Sequence, residues 1–290
     1  MLSPKLTLDM VGTDVEWFLT DNKGELVPCI GIVGGTKTKP LPLISGLSGY
    51  TLQEDNVALE WGIPPAKDRL SFVYSCLRAR EEIERKLRPQ NLFPLVSPSV
   101  RFTKEQLNHP QAQLIGCETD FNVWEREENE IPVFLDDLET LRTGGGHVHI
   151  SYKIDGRPPR FPQDLEIAEI IIMGADLFMG VTSILLDQDR ERRRIYGKAG
   201  AFRPKPYGVE YRTMSNFWTQ SASAIEWVWN SIESLFTFIS KVSYDQKQMH
   251  GYFVDQKNKI VHTINTGDVI SAHQIRSNIS GYMRALPWMI

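Results

Sequence analysis

Acidic, imidazole and guanidinium side chains recur two residues apart in four short segments: Asp14/Glu16, Glu118/Asp120/Asn122, His147/His149 and Glu210/Arg212. Side chains alternate across a β-strand, so residues at i and i+2 share a face, while Val15, Trp17, Phe121, Val148, Ile150 and Tyr211 point the other way. Four such segments could floor one cleft. An isolated acidic pair is most often a solvated sheet face. Acids, imidazoles and an arginine together, however, have the donor set for a divalent metal, a phosphate and a carboxylate.

His147 and His149 follow Gly144-Gly145-Gly146, and the missing side chains leave room for a ligand to approach the backbone. The pair alone reads equally as satisfied structural histidines or as metal ligands. Asp14, Glu16, Glu60 and Glu210 make an oxygen-rich set, which favours Mg²⁺ or Mn²⁺ over a tetrahedral zinc site. Glu60 lies among Val57, Leu59, Trp61 and Ile63, where a carboxylate needs water, a proton, a partner or a cation. Residues 192–218 are dense in polar groups. Lys198, Arg203 and Lys205 supply positive charge between glycines 197, 200 and 208, as an ATP site requires beside carboxylates that hold Mg²⁺. The competing reading of that stretch is a solvated surface loop. GxxxxGK[ST] and GxGxxG motifs are both absent.

The elements that must position these residues alternate between strand and helix grammar. Residues 6–63 are short alternating or apolar runs broken by Gly and Pro, with Asn22-Lys23-Gly24 as a hairpin turn. Asp68 to Leu87 has helical spacing, with Leu70, Val73, Leu77, Ile83 and Leu87 as its apolar face, Asp68 as cap and Pro89 as stop. Strands are expected around VSPSVRF, LIGCETDFNVW, GGGHVHISYK and the Glu210/Arg212 segment. Helices are expected from Leu165 to Leu186 and from Ser221 to Lys241, with DQDRERRR a charged turn between strand groups. In the tail, KIVHTI reads as a strand and HQIRSNISGYM as a short helix. Without a regular βαβ rhythm, this order predicts an α+β fold with helices behind a mainly antiparallel sheet.

The chain has 290 residues, 41% of them hydrophobic and 23% charged, with a formal net charge of −4. This describes a globular protein and excludes a general nucleic-acid surface, the arginines at 190 and 192–194 being a local exception. Cys29, Cys76 and Cys117 form no CxxC pair, so neither a disulfide framework nor a thiolate zinc site is expected. The N-terminal residues lack a signal-peptide pattern, and Leu165–Leu186 carries Glu166, Glu169 and Asp176. No secretion or membrane span is expected, and the reading is cytoplasmic.

The segments GTDVEWFL, EDNVALEW-IPPA, GCETDFN, RTGGGHVHIS and YGKAGAFRPKPYGVEYRTMSNFW together resemble the amidoligases of tailed bacteriophages, within the glutamine synthetase and γ-glutamylcysteine synthetase superfamily of carboxylate-amine ligases. The match runs from Gly12 to Trp218. The resemblance implies a single catalytic domain over residues 1–290, with a glutamine synthetase-like curved antiparallel sheet and helices on its convex face. It implies an acid and an amine, small molecules or peptides, joined through an acyl phosphate at the expense of ATP. Glu16, Glu60, His147 and Glu210 would be metal ligands, with Asp14 beside them where the larger synthetases usually have Glu. His149 would face the ATP phosphates and Arg212 the transferring phosphoryl group. Glu118 and Asp120 would bind a metal or orient the amine. The cytoplasm would be that of the host, and the glutamine synthetases of the superfamily assemble into rings. Two other function classes compete: a metal-dependent hydrolase using His147 and His149, and a non-catalytic binding protein on a ligase scaffold.

Overall fold

A computed structural model describes residues 4–113, 120–130, 138–241 and 246–283. Its strands are β1 (Leu6–Thr20), β2 (Leu26–Val27), β3 (Leu41–Pro42), β4 (Thr51–Asp55), β5 (Ala58–Gly62), β6 (Phe93–Leu95), β7 (Ser99–Arg101), β8 (Phe121–Asn122), β9 (Glu127–Glu128), β10 (Leu141–Thr143), β11 (Gly146–Ile154), β12 (Ala201–Lys205) and β13 (Gly208–Tyr211). Its helices are α1 (Arg69–Leu87), α2 (Pro110–Gln113), α3 (Leu165–Ala175), α4 (Val181–Leu186), α5 (Glu191–Ile195), α6 (Ala222–Lys241), α7 (Gln246–Thr266) and α8 (Val269–Asn278).

The main sheet runs β3-β4-β5-β1-β11-β13-β12-β8-β9, with β2 and β6 pairing with β1. Every neighbouring pair is antiparallel. The long central strand β1 joins the halves, pairing β11 on one side and β5 on the other. This is the mixed class with a large antiparallel sheet that the element order predicts. The turn at Asn22-Lys23-Gly24 forms as expected, with Gly24 at φ +83 and Asp21 and Glu25 bonded across it.

Alternation gives the sheet one apolar and one polar face. Val11, Val15, Trp17, Leu59, Trp61, Val148, Ile150, Val209 and Tyr211 are buried in the main core together with residues of α1, α3, α4 and α6. Trp17 and Trp61 meet edge to face at 5.2 Å, and Trp17 Nε1 donates to Thr219 Oγ1 at 3.0 Å. Each such indole combines a large apolar area with a satisfied polar tip. The apolar run Leu165–Leu186 is buried from Ile167 to Ile184, with a π-helical turn at Asp176–Gly180.

Several elements depart from the sequence reading. In α1, Asp68 caps as expected, accepting from Ser71 N at 2.9 Å. Its buried face, however, is Phe72, Cys76, Ala79, Ile83 and Leu87, and Leu70 is 75% exposed. The small residues Cys76 and Ala79 permit close packing, and the bulkier Val73 and Leu77 flank it. KIVHTI is helical, not a strand, within α7. Phe253, Ile260 and Ile264 recur at helical spacing and are fully buried. DQDRERRR contains the short helix α5 in place of a turn, and it buries Arg192 and Arg193. The arginine cluster is therefore not a surface for phosphates. VSPSVRF contributes β7 to a separate two-stranded sheet with β10. Of the LIGCETDFNVW segment, Glu118 and Cys117 lie outside the described residues. Phe121 is 42% exposed, because β8 lies near the sheet edge, where its ring meets that of Phe202 at 6.1 Å.

Candidate functional site

The strand register sets the candidate site residues in rows across the polar face. Gln53 pairs with Glu60 and Glu60 with Glu16; Asp14 pairs with His147; His149 pairs with Glu210 and Glu210 with Arg203. Paired residues on antiparallel strands share a face, so four distant segments converge. They line a cleft of about 230 Å³, which also receives Asp55, Lys37, Lys205 and Arg212. A larger depression near Trp229 and Tyr282 lies apart from all of these.

One end of the cleft is acidic. Carboxylate oxygens of Glu16, Asp55 and Glu60 lie within 4.8 Å of one another. Burial, reinforced by the Asp55 charge, pushes the Glu16 carboxyl up to about 7. Burial and the charges of Asp14, Asp55 and Glu16 raise Glu60 well above the usual range, and burial raises Asp55. Asp55 and Glu60 share a hydrogen bond, so a proton partly does what a cation would do there. Gly145 N donates to Glu16 Oε2 at 2.7 Å and fixes that oxygen.

At the other end the acids are already matched. Asp14, His149 and Glu210 form a second group within 4.8 Å. His149 Nε2 is 2.9 Å from Asp14 Oδ2 and Nδ1 is 2.5 Å from the Tyr207 hydroxyl, the two rings stacking at 5.9 Å. Burial alone would lower the His149 imidazole, but Asp14 outweighs it and the net shift is upward. Glu210 is buried, yet Arg212, His147 and His149 hold it below the usual carboxylate range. It pairs with Arg212, with Lys205 at 2.8 Å and with Arg203 at 3.9 Å. Asp120 bridges Arg212 at 2.7 Å and Arg203 at 3.2 Å, and burial raises its carboxyl despite both cations.

His147 belongs to neither carboxylate group. Its Nδ1 is 3.2 Å from Arg212 and 3.8 Å from Glu210, and burial and Arg212 drive its pKa well down. Its Nε2 is buried without a hydrogen-bond partner among the described residues. A Cβ on Gly145 would sit 2.4 Å from that nitrogen, and Cβ atoms on Gly144 and Gly146 would strike Asn216 and Trp218 at 2.4 Å. The three glycines thus make room for the chain's own side chains.

Of the residues singled out from the sequence, Asp14, Glu16, Glu60, His147, Arg203, Lys205, Glu210 and Arg212 line the cleft. His149 and Asp120 touch it through Asp14, Arg203 and Arg212. Lys198 does not join them; it is exposed, and its carbonyl accepts from Thr213 Oγ1 at 3.0 Å and from Ala201 N at 3.3 Å. Asp55 escaped the sequence reading because it ends a strand, Thr51–Asp55, whose one apolar residue, Leu52, is too little to show alternation. Tyr196 and Tyr207 escaped because, within a stretch dense in charged residues, a tyrosine carries no sign of its hydroxyl's partners.

Both groups suit a hard divalent cation. Their donors are carboxylate oxygens and one imidazole, Cys29 and Cys76 are buried elsewhere, and positive charge offsets the raised carboxyls of the acidic end only in part. No protein-family model matches the chain, and no curated protein matches it. Solved structures are similar to it, two of them as follows. One, described as "Apo GmaS without ligand", is 10% identical, with 97% of this chain and 70% of that chain covered and a TM-score of 0.42. The other, described as "Crystal structure of novel glutamine synthase homolog", is 13% identical, with 94% and 67% covered and a TM-score of 0.42. At these scores neither likeness assigns an activity.

Proposed function

We propose that the chain is an ATP-dependent carboxylate-amine ligase. The observation that carries this reading is the division of one sheet face into a carboxylate group short of positive charge and, beside it, a cluster of Arg203, Lys205 and Arg212. A divalent cation fits the first and the anionic groups of a nucleotide fit the second. Glu16, Asp55 and Glu60, and separately Asp14, His149 and Glu210, would hold Mg²⁺ or Mn²⁺, which when bound supplies neutralisation of phosphate charge. The reading takes residues 1–290 as one domain of a cytoplasmic, phage-encoded enzyme on a curved, glutamine synthetase-like sheet.

A free carboxylate acylates an amine poorly because oxide is a poor leaving group. Transfer of the γ-phosphoryl of ATP to a carboxylate oxygen gives an acyl phosphate and ADP; amine attack then expels phosphate and leaves an amide. Arg212 is aimed from Glu210 and Asp120 across the cleft floor, where its planar fork would meet a transferring phosphoryl group. Arg203 and Lys205 would hold the rest of the phosphate chain. Asp120, or Glu118, would take the proton from an incoming ammonium group. The hydrolase alternative gains no support, because the two imidazoles lie in different surroundings and do not converge on one group of ligands.

The test is Mg²⁺-dependent release of ADP from ATP across a panel of paired acids and amines, with ¹⁸O in the acid. The reading requires ADP, phosphate and amide in equal amounts and label in phosphate. Label retained wholly in the acid-derived product removes the acyl phosphate. No acid-dependent turnover, together with equal ATP affinity with and without chelator by calorimetry, leaves a non-catalytic protein.

A further inference from the structure

Arg192 is 2% exposed and makes no ion pair with a carboxylate among the described residues. Its neighbour Arg193, equally buried, has Asp187 at 3.7 Å. A buried guanidinium without an acid is costly and needs another use for its donors. Arg192 spends them on backbone: Nη1 donates to Thr213 O at 2.7 Å and Nη2 to Arg212 O at 3.3 Å. Its guanidinium carbon also lies 5.3 Å from the centroid of the Tyr196 ring. Arg212 presents its own guanidinium to that ring at 5.5 Å and donates to the Tyr196 hydroxyl. The hydroxyl in turn donates to Asp120, the partner of Arg212.

The chain makes room for this arrangement. Gly197 has φ +70, and a Cβ there would fall on Arg192 Nη1. The start of α5 is fixed by Asp189, which accepts from Arg192 N at 2.9 Å and from Ser99 Oγ at 2.5 Å. Arg192 therefore grips Arg212 twice, at its carbonyl and, through one shared aromatic ring, at its head group.

We propose that Arg192, acting through Tyr196, is the positioning residue for Arg212: it fixes the backbone at 212–213 and the ring that aims the Arg212 guanidinium into the cleft. As a statement about catalysis this rests on the ligase reading; as a statement about where Arg212 points it does not. The fork is what matters, because lysine has the charge but cannot bridge two carbonyls while lying flat against a ring.

Crystal structures of the wild type, Arg192→Lys, Arg192→Met and Tyr196→Phe decide the geometric part without any substrate. Arg212 is expected to leave ion-pair distance of Asp120 in both Arg192 variants and to shift its guanidinium from its place 5.5 Å from the ring centroid in Tyr196→Phe. Arg212 unmoved in all three overturns the proposal. If the Arg192 variants fail to fold, Tyr196→Phe, which removes one oxygen, decides alone. With an acid and amine pair that supports ADP release, kcat should fall at least tenfold in Arg192→Lys while the KM for ATP stays within about threefold. Equal kcat in wild type and Arg192→Lys also overturns it. Failure to bind ATP in the wild type would remove the ligase reading and leave the structural result standing.

Discussion

Two groups of carboxylates share the floor of one cleft, and Glu16, Asp55 and Glu60 in the first hold their protons where Glu210 in the second gives its proton up. Glu16, Asp55 and Glu60 crowd one another, and Lys37 and Arg212 offset only part of the cost, so their carboxyls titrate high. Glu210 is no less buried, but Arg212, Lys205 and two imidazoles keep it ionised. The same residue type on neighbouring strands thus retains its proton at one end and is a counterion at the other. Burial sets the cost in both places, and the company each acid keeps sets the outcome.

The sharpest way to break this contrast is a matched pair of substitutions. Glu210→Gln should abolish turnover and lower stability by on the order of 3–5 kcal/mol, because it leaves buried cations without their partner. Glu60→Gln should also abolish turnover, yet leave metal-free stability unchanged or raised by about 1 kcal/mol, since it relieves repulsion. Denaturant melts of both without metal give the comparison. Equal destabilisation would mean that the two ends do not differ. Next in size is Arg212→Lys, expected to lower kcat about a hundredfold with ATP affinity changed less than about threefold, as for a group that works in the transition state.

Titration sharpens the contrast further. A carboxyl raised from 4.5 to about 7, as Glu16 is, keeps in the folded state a proton that the unfolded chain has released. Its contribution is fully present below 4.5 and is lost as pH rises through 7, by up to about 3 kcal/mol. Metal-free thermal midpoints should therefore fall over that range, and Mg²⁺ should restore them increasingly as pH rises, because the cation replaces the proton. A flat response to Mg²⁺ at pH 8 would contradict the metal assignment. Asp176, behind the sheet, is the control. Burial raises it to about 6 although Trp124, Tyr211 and Thr213 all donate to it. Asp176→Asn should flatten the stability profile between about 4 and 6 while leaving the Mg²⁺ response untouched.

What the sequence disclosed and what it hid follow one physical rule. Alternation is local, so Asp14/Glu16, His147/His149 and Glu210/Arg212 announced a shared face, and the register placed them on it. Asp55 was hidden because Leu52 is the one apolar residue of its strand and a single residue sets no period. Lys198 was chosen for its charge and its neighbours in sequence, but it precedes β12 and does not take part in that strand's alternation, whereas Arg203 and Lys205 do. The tail was misread because KIVHTI satisfies either period over six residues. Only the longer spacing from Phe253 through Ile264 selects the helix. Protonation was beyond a sequence reading altogether, since it depends on which charges meet across strands.

The polar rows across β1 also bear on how the chain reaches its native state. Thr13 Oγ1 bonds His147 O from 134 residues away, and the cleft exists only once β1 has paired with both β5 and β11. Contacts of such high order form slowly, after most loop-closure entropy has been lost. A metal ion cannot template them early, because no short stretch of chain holds a complete ligand group. A slip of β1 by one residue would turn Val15 and Trp17 toward the cleft and drive Asp14 and Glu16 into the helical layer. Such a misfolded molecule would match the native one in secondary-structure content and be silent to Mg²⁺, which makes cation binding a reporter of register during refolding.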